Sequence, residues 1–140
     1  MLEKFESLCE ERQKIIVSKD KGSRVEHRAN NIEQCRVRHY QIDGVVITDL
    51  NKSKCDFLLT NDDRKKVYFI ELKGTDVKKS IEQLEETERI LGNEFPDYER
   101  YFRIVYKANT HGIRSTAISK FKIRKKGRVI AATDRYEEDI

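Results

Sequence analysis

The chain has little of what builds a secreted or membrane-embedded protein. Its three cysteines, Cys9, Cys35 and Cys55, are widely spaced and form no CxxC pair. An odd number of scattered cysteines favours reduced thiols over a disulfide framework. No stretch approaches the roughly 20 apolar residues that a membrane-spanning helix needs, and the first residues mix acids and bases instead of forming the apolar block of a secretory signal. The sequence therefore predicts a cytoplasmic protein with no membrane contact.

The chain also lacks the features that divide a protein into separate units. It has one proline and six glycines, with no repeat, low-complexity run or linker rich in Pro, Gly or Ser. Its 140 residues fit one domain, and a domain of this size buries roughly two-thirds of the surface of its unfolded chain. The histidines, His27, His39 and His111, are scattered, whereas a zinc site needs clustered ligands. We therefore expect a single domain over residues 1–140.

Charge is plentiful, and bases and acids are segregated along the chain. The net charge is only +4. The segment from Glu99 to Arg128, however, has ten bases against one acid, and the segment from Arg12 to Arg38 has eight bases against three acids. Such blocks are typical of a protein that holds a polyanion on one side. The alternative is a solvated basic face that binds nothing.

Hydrophobic periodicity predicts helices combined with a central sheet. Apolar residues between positions 2 and 17 lie near helical spacing and predict an amphipathic first helix. Asp43-Gly44 between two apolar runs predicts a hairpin within residues 35–47, and residues 56–59 and 67–70 predict a second one. Helical spacing returns from residue 76 to residue 91, strands are predicted at 101–106 and 128–132, and residues 113–124 fit either a helix or a strand. This order predicts an α/β or α+β fold with a mixed central β-sheet flanked by helices.

Two acids and a lysine are placed where the second hairpin could bring them together. Asp56 opens its first strand, and Glu71 ends the second strand after fourteen intervening residues. Opposite residues on paired strands have Cβ atoms about 4.5–5.5 Å apart, so the two carboxylates would repel unless a divalent cation lay between them. Side chains alternate along a strand, so Lys73 would point to the same face as Glu71. The sequence therefore predicts a site for metal-assisted phosphodiester hydrolysis.

A simpler interpretation treats these charges as surface features. Glu71 and Lys73 would be an exposed pair on an edge strand, and Asp56 would be a turn residue. The run from Val67 to Ile70 argues against this, because continuous apolarity is typical of a strand buried on both faces. Such a strand does not end in charged residues without a reason.

The pattern Asp56-(14 residues)-Glu71-Leu72-Lys73 resembles the PD-(D/E)xK, or restriction-endonuclease-like, nuclease superfamily. The resemblance covers about residues 54–91, including the amphipathic helix after the motif, and it implies a helix-first core with a mixed sheet. Two positions depart from the pattern. Cys55 replaces the proline of the motif, and Thr87 replaces a tyrosine that often follows the helix glutamine by four residues.

The resemblance also implies roles for individual residues. Asp56 and Glu71 would bind Mg²⁺ or Mn²⁺ together with the carbonyl of Leu72, and Lys73 would be the catalytic lysine. Gln83, on the following helix, matches a glutamine that many members direct toward the site. A further glutamate ligand is favoured at Glu26, with Glu10 and Glu11 as alternatives.

These observations predict a metal-dependent nuclease that acts on nucleic acid, with DNA favoured over RNA. Small members of such a superfamily often act as dimers, so a homodimer belongs among the expected partners. The alternatives are a module of the same fold that binds nucleic acid without cutting it, and a structural subunit of a larger complex. The bases selected as nucleic-acid contacts are Arg100, Arg103, Lys107, Lys120, Lys122 and Lys125.

Overall fold

The computed structural model describes residues 1–72, 76–107 and 116–140 and shows a mixed α+β protein with two sheets and two helices. No helix among these residues is long and apolar enough to span a membrane. The helices are α1 (Val77–Leu91) and α2 (Thr116–Arg124). The strands are β1 (Ile15–Lys19), β2 (Glu26–Asn30), β3 (Val37–Gln41), β4 (Phe57–Asn61), β5 (Lys66–Leu72), β6 (Glu99–Tyr106), β7 (Val129–Thr133) and β8 (Arg135–Asp139).

The larger sheet has five strands in the order β3-β4-β5-β6-β7. β3, β4 and β5 run antiparallel, and β5, β6 and β7 run parallel, so the sheet is mixed, as predicted. The predicted second hairpin is confirmed, because β4 and β5 pair with Phe57 opposite Ile70. Helix α1 then carries the chain from the end of β5 to the start of β6.

The central strand β5 is covered on both faces, which explains its unbroken apolar run. Val67 and Phe69 belong to the core beneath α1 and α2. Tyr68, Ile70 and Leu72 point the other way and pack against the smaller sheet. By the same alternation, Glu71 lies on the helix-covered face, one residue before the end of the strand.

The smaller sheet, in the order β1-β2-β8, was not predicted. The prediction of a helix over residues 2–17 is wrong, because the chain begins with a single 3₁₀ turn at Leu2–Lys4 and enters β1 at Ile15. The cluster Ile15-Ile16-Val17 is β-branched and prefers a strand, and its alternate side chains are buried. The helix-first arrangement implied by the resemblance is therefore absent from the described residues.

Three further local predictions are resolved by the structure. Gly44 has a left-handed φ of +81°, so the turn after Asp43 is confirmed, but the hairpin around it is wrong, because Ile42 N–H donates to the carbonyl of Asp56 and the chain joins β4 instead. Helix α1 is confirmed, with the Asp76 side chain accepting from Lys79 N–H at its first turn. The ambiguous segment is helical from Thr116, and its earlier part lies outside the described residues.

Candidate functional site

Asp56 and Glu71 lie side by side at one end of the β4–β5 hairpin. Pairing continues one step beyond Phe57 and Ile70, since Asp56 N–H donates to the Ile70 carbonyl at 3.1 Å. The Asp56 carboxylate turns toward β5, where its Oδ2 accepts from Leu72 N–H at 2.7 Å. The backbone of the strand that carries Glu71 therefore fixes the orientation of the Asp56 carboxylate, and the predicted juxtaposition of the two acids is present.

Glu71 is buried and Asp56 is half-buried, and the pair lacks a basic partner within the described residues. The Glu71 side chain is only 5 % exposed, which excludes the interpretation of an exposed edge-strand pair. Its Oε1 is buried and has no hydrogen-bond partner in the described part of the chain. An orphaned carboxylate oxygen costs free energy, so this atom calls for a ligand from outside these residues.

Both carboxyl groups hold protons more tightly than usual. Burial, followed by the charge of Asp56, raises the pKa of Glu71 to about 10. Burial also raises the pKa of Asp56 to about 6, although the Leu72 N–H opposes this shift. The two acids form a coupled pair that keeps a proton at neutral pH. A divalent cation would take the place of that proton.

The donor set suits a hard cation such as Mg²⁺ or Mn²⁺. Mg²⁺ is usually bound by one or two carboxylates and keeps several waters, and the Asp56–Glu71 pair with its orphaned oxygen supplies two carboxylates. Leu72, the predicted backbone ligand, is the last residue of β5 and adjoins both acids. No group of three or more His, Cys, Asp or Glu residues with metal-binding geometry occurs within residues 1–72, 76–107 and 116–140.

Two further acids add to the negative field of the pair. The charges of Asp20 and Asp43 both raise the pKa values of Asp56 and Glu71. Asp20 follows β1, and Asp43 follows β3. Each precedes a glycine in a turn, at Gly22 and Gly44. A turn is a sufficient local reason for an aspartate, so nothing in the sequence indicated that these two residues lie near Asp56 and Glu71. Only the packing of the two sheets could have revealed it.

The glutamate favoured as a further ligand has charged partners of its own. Glu26 begins β2, and its Oε2 lies 3.8 Å from Arg28 Nε and 3.7 Å from Arg135 Nε. Its backbone N–H donates to the Asp134 carbonyl, and Asp134 N–H donates to the carbonyl of Tyr106 at the end of β6. Glu26 is thus at the correct end of the larger sheet, but its carboxylate is placed among the arginines of the smaller one.

The alternative glutamates Glu10 and Glu11 are exposed and lie elsewhere. The carbonyl of Glu11 accepts from Val37 N–H at the start of β3. The opposite end of β3 adjoins Asp56, since Gln41 pairs with Phe57. About 13 Å of strand separates these two ends at 3.3 Å per residue.

Helix α1 contacts the site through Thr87. The Thr87 hydroxyl accepts from Cys55 N–H at 2.8 Å and donates to the Gln83 carbonyl at 2.8 Å. The residue that replaces the tyrosine of the family pattern therefore holds the backbone immediately before Asp56. Gln83 lies one turn earlier on the same flank of α1 and is partly exposed. Lys73 lies outside the described residues, so its role stays a prediction.

Arg103 does not belong to a nucleic-acid surface, and this prediction is wrong. Its side chain is buried, and its Nε and Nη2 donate to Glu138 at 2.7 and 2.9 Å. The guanidinium also lies over the rings of Tyr68 and Tyr101. The basic segment had been treated as one face, but alternation along β6 directs Arg103 into the interface between the two sheets.

The other selected bases divide into two groups. Arg100 and Lys125 both donate to Glu88, at 3.2 and 2.6 Å, beside an open pocket of about 250 Å³. Arg100 stands four residues before Ile104, the partner of Glu71, so about 13 Å of strand separates the pocket from the acids. The second group is exposed and comprises Lys107, which follows the acid-bearing end of β6, and Lys120 and Lys122 on α2.

No family model matches this chain, and no curated protein or solved structure is detectably similar to it. The functional argument therefore depends on the residues themselves.

Proposed function

We propose that this protein is a metal-dependent nuclease whose centre is the Asp56–Glu71 pair. The observation that supports this most directly is a pair of adjacent carboxylates, Glu71 buried and Asp56 half-buried, that has no basic partner among the described residues and includes an orphaned oxygen on Glu71. An arrangement of this kind opposes folding and becomes favourable with a cation. The motif, the mixed sheet order and the α1 crossover after Glu71 also support the restriction-endonuclease-like core that the resemblance implies.

Each residue of the site would have its own role in the reaction. Asp56 and Glu71 would hold the cation, with the Asp56 carboxylate kept in place by Leu72 N–H. When bound, the cation would polarise the scissile phosphate and lower the pKa of an attacking water. Lys73 would stabilise the negative charge that develops on the phosphate. Gln83, on α1, would be directed toward the site.

The proposed substrate is nucleic acid, with DNA favoured over RNA. Lys107 lies at the same end of β6 as the acids and would contact phosphates near the scissile bond. The remaining bases, Lys120, Lys122, Lys125 and Arg100, would hold more distant parts of the backbone. Contacts of this kind give salt-dependent affinity that depends little on sequence.

The test is cleavage of circular single-stranded DNA, circular double-stranded DNA and RNA in Mg²⁺, Mn²⁺ or EDTA. Wild type is compared with Glu71→Ala and Lys73→Ala, and Glu82→Ala on the exposed face of α1 is the matched control. We expect cleavage that requires the metal, is lost in the two site variants and is retained in the control. Cutting of circles would also establish endonucleolytic action.

The alternative of a non-cutting binding module gives a different result. Nucleic acid would bind without being cleaved in any metal, and the site variants would bind it as well as wild type. That outcome would reduce Asp56, Glu71 and Lys73 to residues of the fold.

A further inference from the structure

A buried tyrosine beside the acid pair also has a side-chain atom without a partner. Tyr106 is the last residue of β6, and its side chain is completely buried. Its Oη has no hydrogen-bond partner in the described part of the chain. Buried tyrosines usually find a partner for the hydroxyl, and a phenylalanine would fill this apolar position without the cost of an orphaned donor.

The strand register places Tyr106 next to Glu71. β5 and β6 are parallel, with Glu71 opposite Ile104 and Leu72 opposite Val105. Tyr106 is two residues beyond Ile104, so its side chain is on the same helix-covered face as Glu71. The charge of Glu71 is among the causes that raise the pKa of Tyr106 to about 12, after burial as the largest. Two orphaned polar atoms, Glu71 Oε1 and Tyr106 Oη, thus occupy one region of the core.

The first turn of α1 covers this region and leaves the tyrosine hydroxyl available. Ser80 is buried beside Tyr106, and its hydroxyl is close enough to lower the pKa of the tyrosine. The Ser80 hydroxyl donates its proton to the Asp76 carbonyl at 3.1 Å. Ser80 therefore has no second proton to give to Tyr106. The Ser80 oxygen could still accept a hydrogen bond, but it does not meet the distance and angle of a hydrogen bond with Tyr106 Oη.

We propose that Tyr106 is a positioning residue of the candidate site, and that its hydroxyl donates to Glu71 Oε1, directly or through one water, when a cation is bound by the pair. One oxygen of Glu71 then faces the cation, and the other receives the proton of the tyrosine. Groups that orient a metal-binding carboxylate in this way typically contribute 10–100-fold to metal affinity. The inference rests on the proposed function in one respect, namely that a divalent cation binds at Asp56 and Glu71.

The experiment removes only the hydroxyl. Wild type and Tyr106→Phe are titrated with Mn²⁺ by calorimetry, and their thermal midpoints are measured in EDTA. We expect Tyr106→Phe to bind Mn²⁺ about tenfold more weakly while its midpoint in EDTA is unchanged or higher, because the lost hydroxyl had no partner. Tyr68→Phe is the matched control, since Tyr68 is buried on the opposite face of the same sheet, and it should leave Mn²⁺ affinity unchanged.

Three results would overturn the proposal. Equal Mn²⁺ affinity of wild type and Tyr106→Phe would remove the tyrosine from the site and leave the nuclease proposal standing. A marked fall of the midpoint in EDTA would mean that the hydroxyl is already bonded in the folded protein. If wild type and Glu71→Gln show the same lack of Mn²⁺ binding, the cation site fails and the role of Tyr106 fails with it.

Discussion

Two buried glutamates in this protein have opposite surroundings. Glu138, in β8, accepts from Arg103 at 2.7 and 2.9 Å and lies 2.7 Å from His27 Nε2. Burial alone would raise its pKa, but the hydrogen bonds from His27 and Arg103 outweigh burial and lower it. Glu71 has another carboxyl group beside it and an orphaned oxygen, and its pKa is raised.

The difference separates a carboxylate that supports the fold from one that does not. Glu138 joins the two sheets, since His27 is in the smaller sheet and Arg103 is in the larger. The chain can therefore compensate a buried acid when its role is structural. Glu71 and Asp56 have no cationic partner among the described residues, which is expected of groups kept for a ligand.

The largest expected effect comes from Glu71→Gln, which should lower cleavage activity while it raises the stability of the folded protein. Loss of a carboxylate ligand should reduce metal-dependent cleavage by at least about 100-fold. The glutamine can donate to Asp56 and removes a titratable group from the core, so unfolding in EDTA at pH 8 should require more urea than for wild type. A variant that is both inactive and less stable in EDTA would contradict the comparison, because Glu71 would then support the fold as Glu138 does.

The next effect is on stability and concerns the other glutamate. Arg103→Ala leaves Glu138 buried with His27 as its remaining partner, and breaking a buried ion pair costs about 3–5 kcal/mol. Urea unfolding measures this loss. Arg128→Ala is the control, because it breaks a more exposed pair with Glu99 and should cost at most about 1 kcal/mol. Equal losses in the two variants would remove the structural role assigned to Glu138.

A third effect is the opposite pH dependence of the two glutamates. The pKa of Glu71 rises from 4.5 to about 10 on folding, so its protonation stabilises the folded state at low pH, and this contribution is lost as pH rises through that window. The pKa of Glu138 falls on folding, so its contribution is lost as pH decreases below 4.5. In EDTA, Glu71→Gln should therefore gain stability over wild type as pH rises from about 5 to about 9. A constant difference across this range would show that Glu71 does not retain its proton.

Local pattern was sufficient to predict the parts of the fold that depend on neighbouring residues. The β4–β5 hairpin, α1, β6 and β7 follow from apolar runs, turn residues and the helical spacing of residues 76–91. The smaller sheet could not be predicted in this way, because β2 and β8 are more than 100 residues apart and pair through a mixed polar sequence. Glu138 in β8 and its partner Arg103 look like surface charges until the strands are paired.

The residues of the candidate site were likewise predicted only in part. Asp56 and Glu71 were found because a hairpin brings them together within one short segment. Asp20, Asp43 and Tyr106 were missed as members of this region, since only the tertiary arrangement brings their elements to it. The basic surface was overestimated, because sequence counts charges and does not reveal which ones, such as Arg103, are already paired.

The smallest expected effects concern the lysines of α2 and the turn after it. They allow a second comparison between a charge that has an acidic partner and charges that are exposed. Lys120 and Lys122 are exposed on α2, whereas Lys125 is bonded to Glu88 at 2.6 Å. If α2 contacts the nucleic-acid backbone, Lys120→Ala and Lys122→Ala should each weaken binding a few-fold and reduce the slope of log affinity against log salt by about 1.

Lys125→Ala should change that slope less, because Glu88 already neutralises much of the charge of the lysine. Fluorescence anisotropy over a range of NaCl concentrations, with Ca²⁺ in place of Mg²⁺ to limit cleavage, measures all three variants. A larger effect at Lys125 than at either exposed lysine would show that nucleic acid displaces Glu88. The pocket beside Arg100, and not the outer face of α2, would then be the principal contact with the backbone.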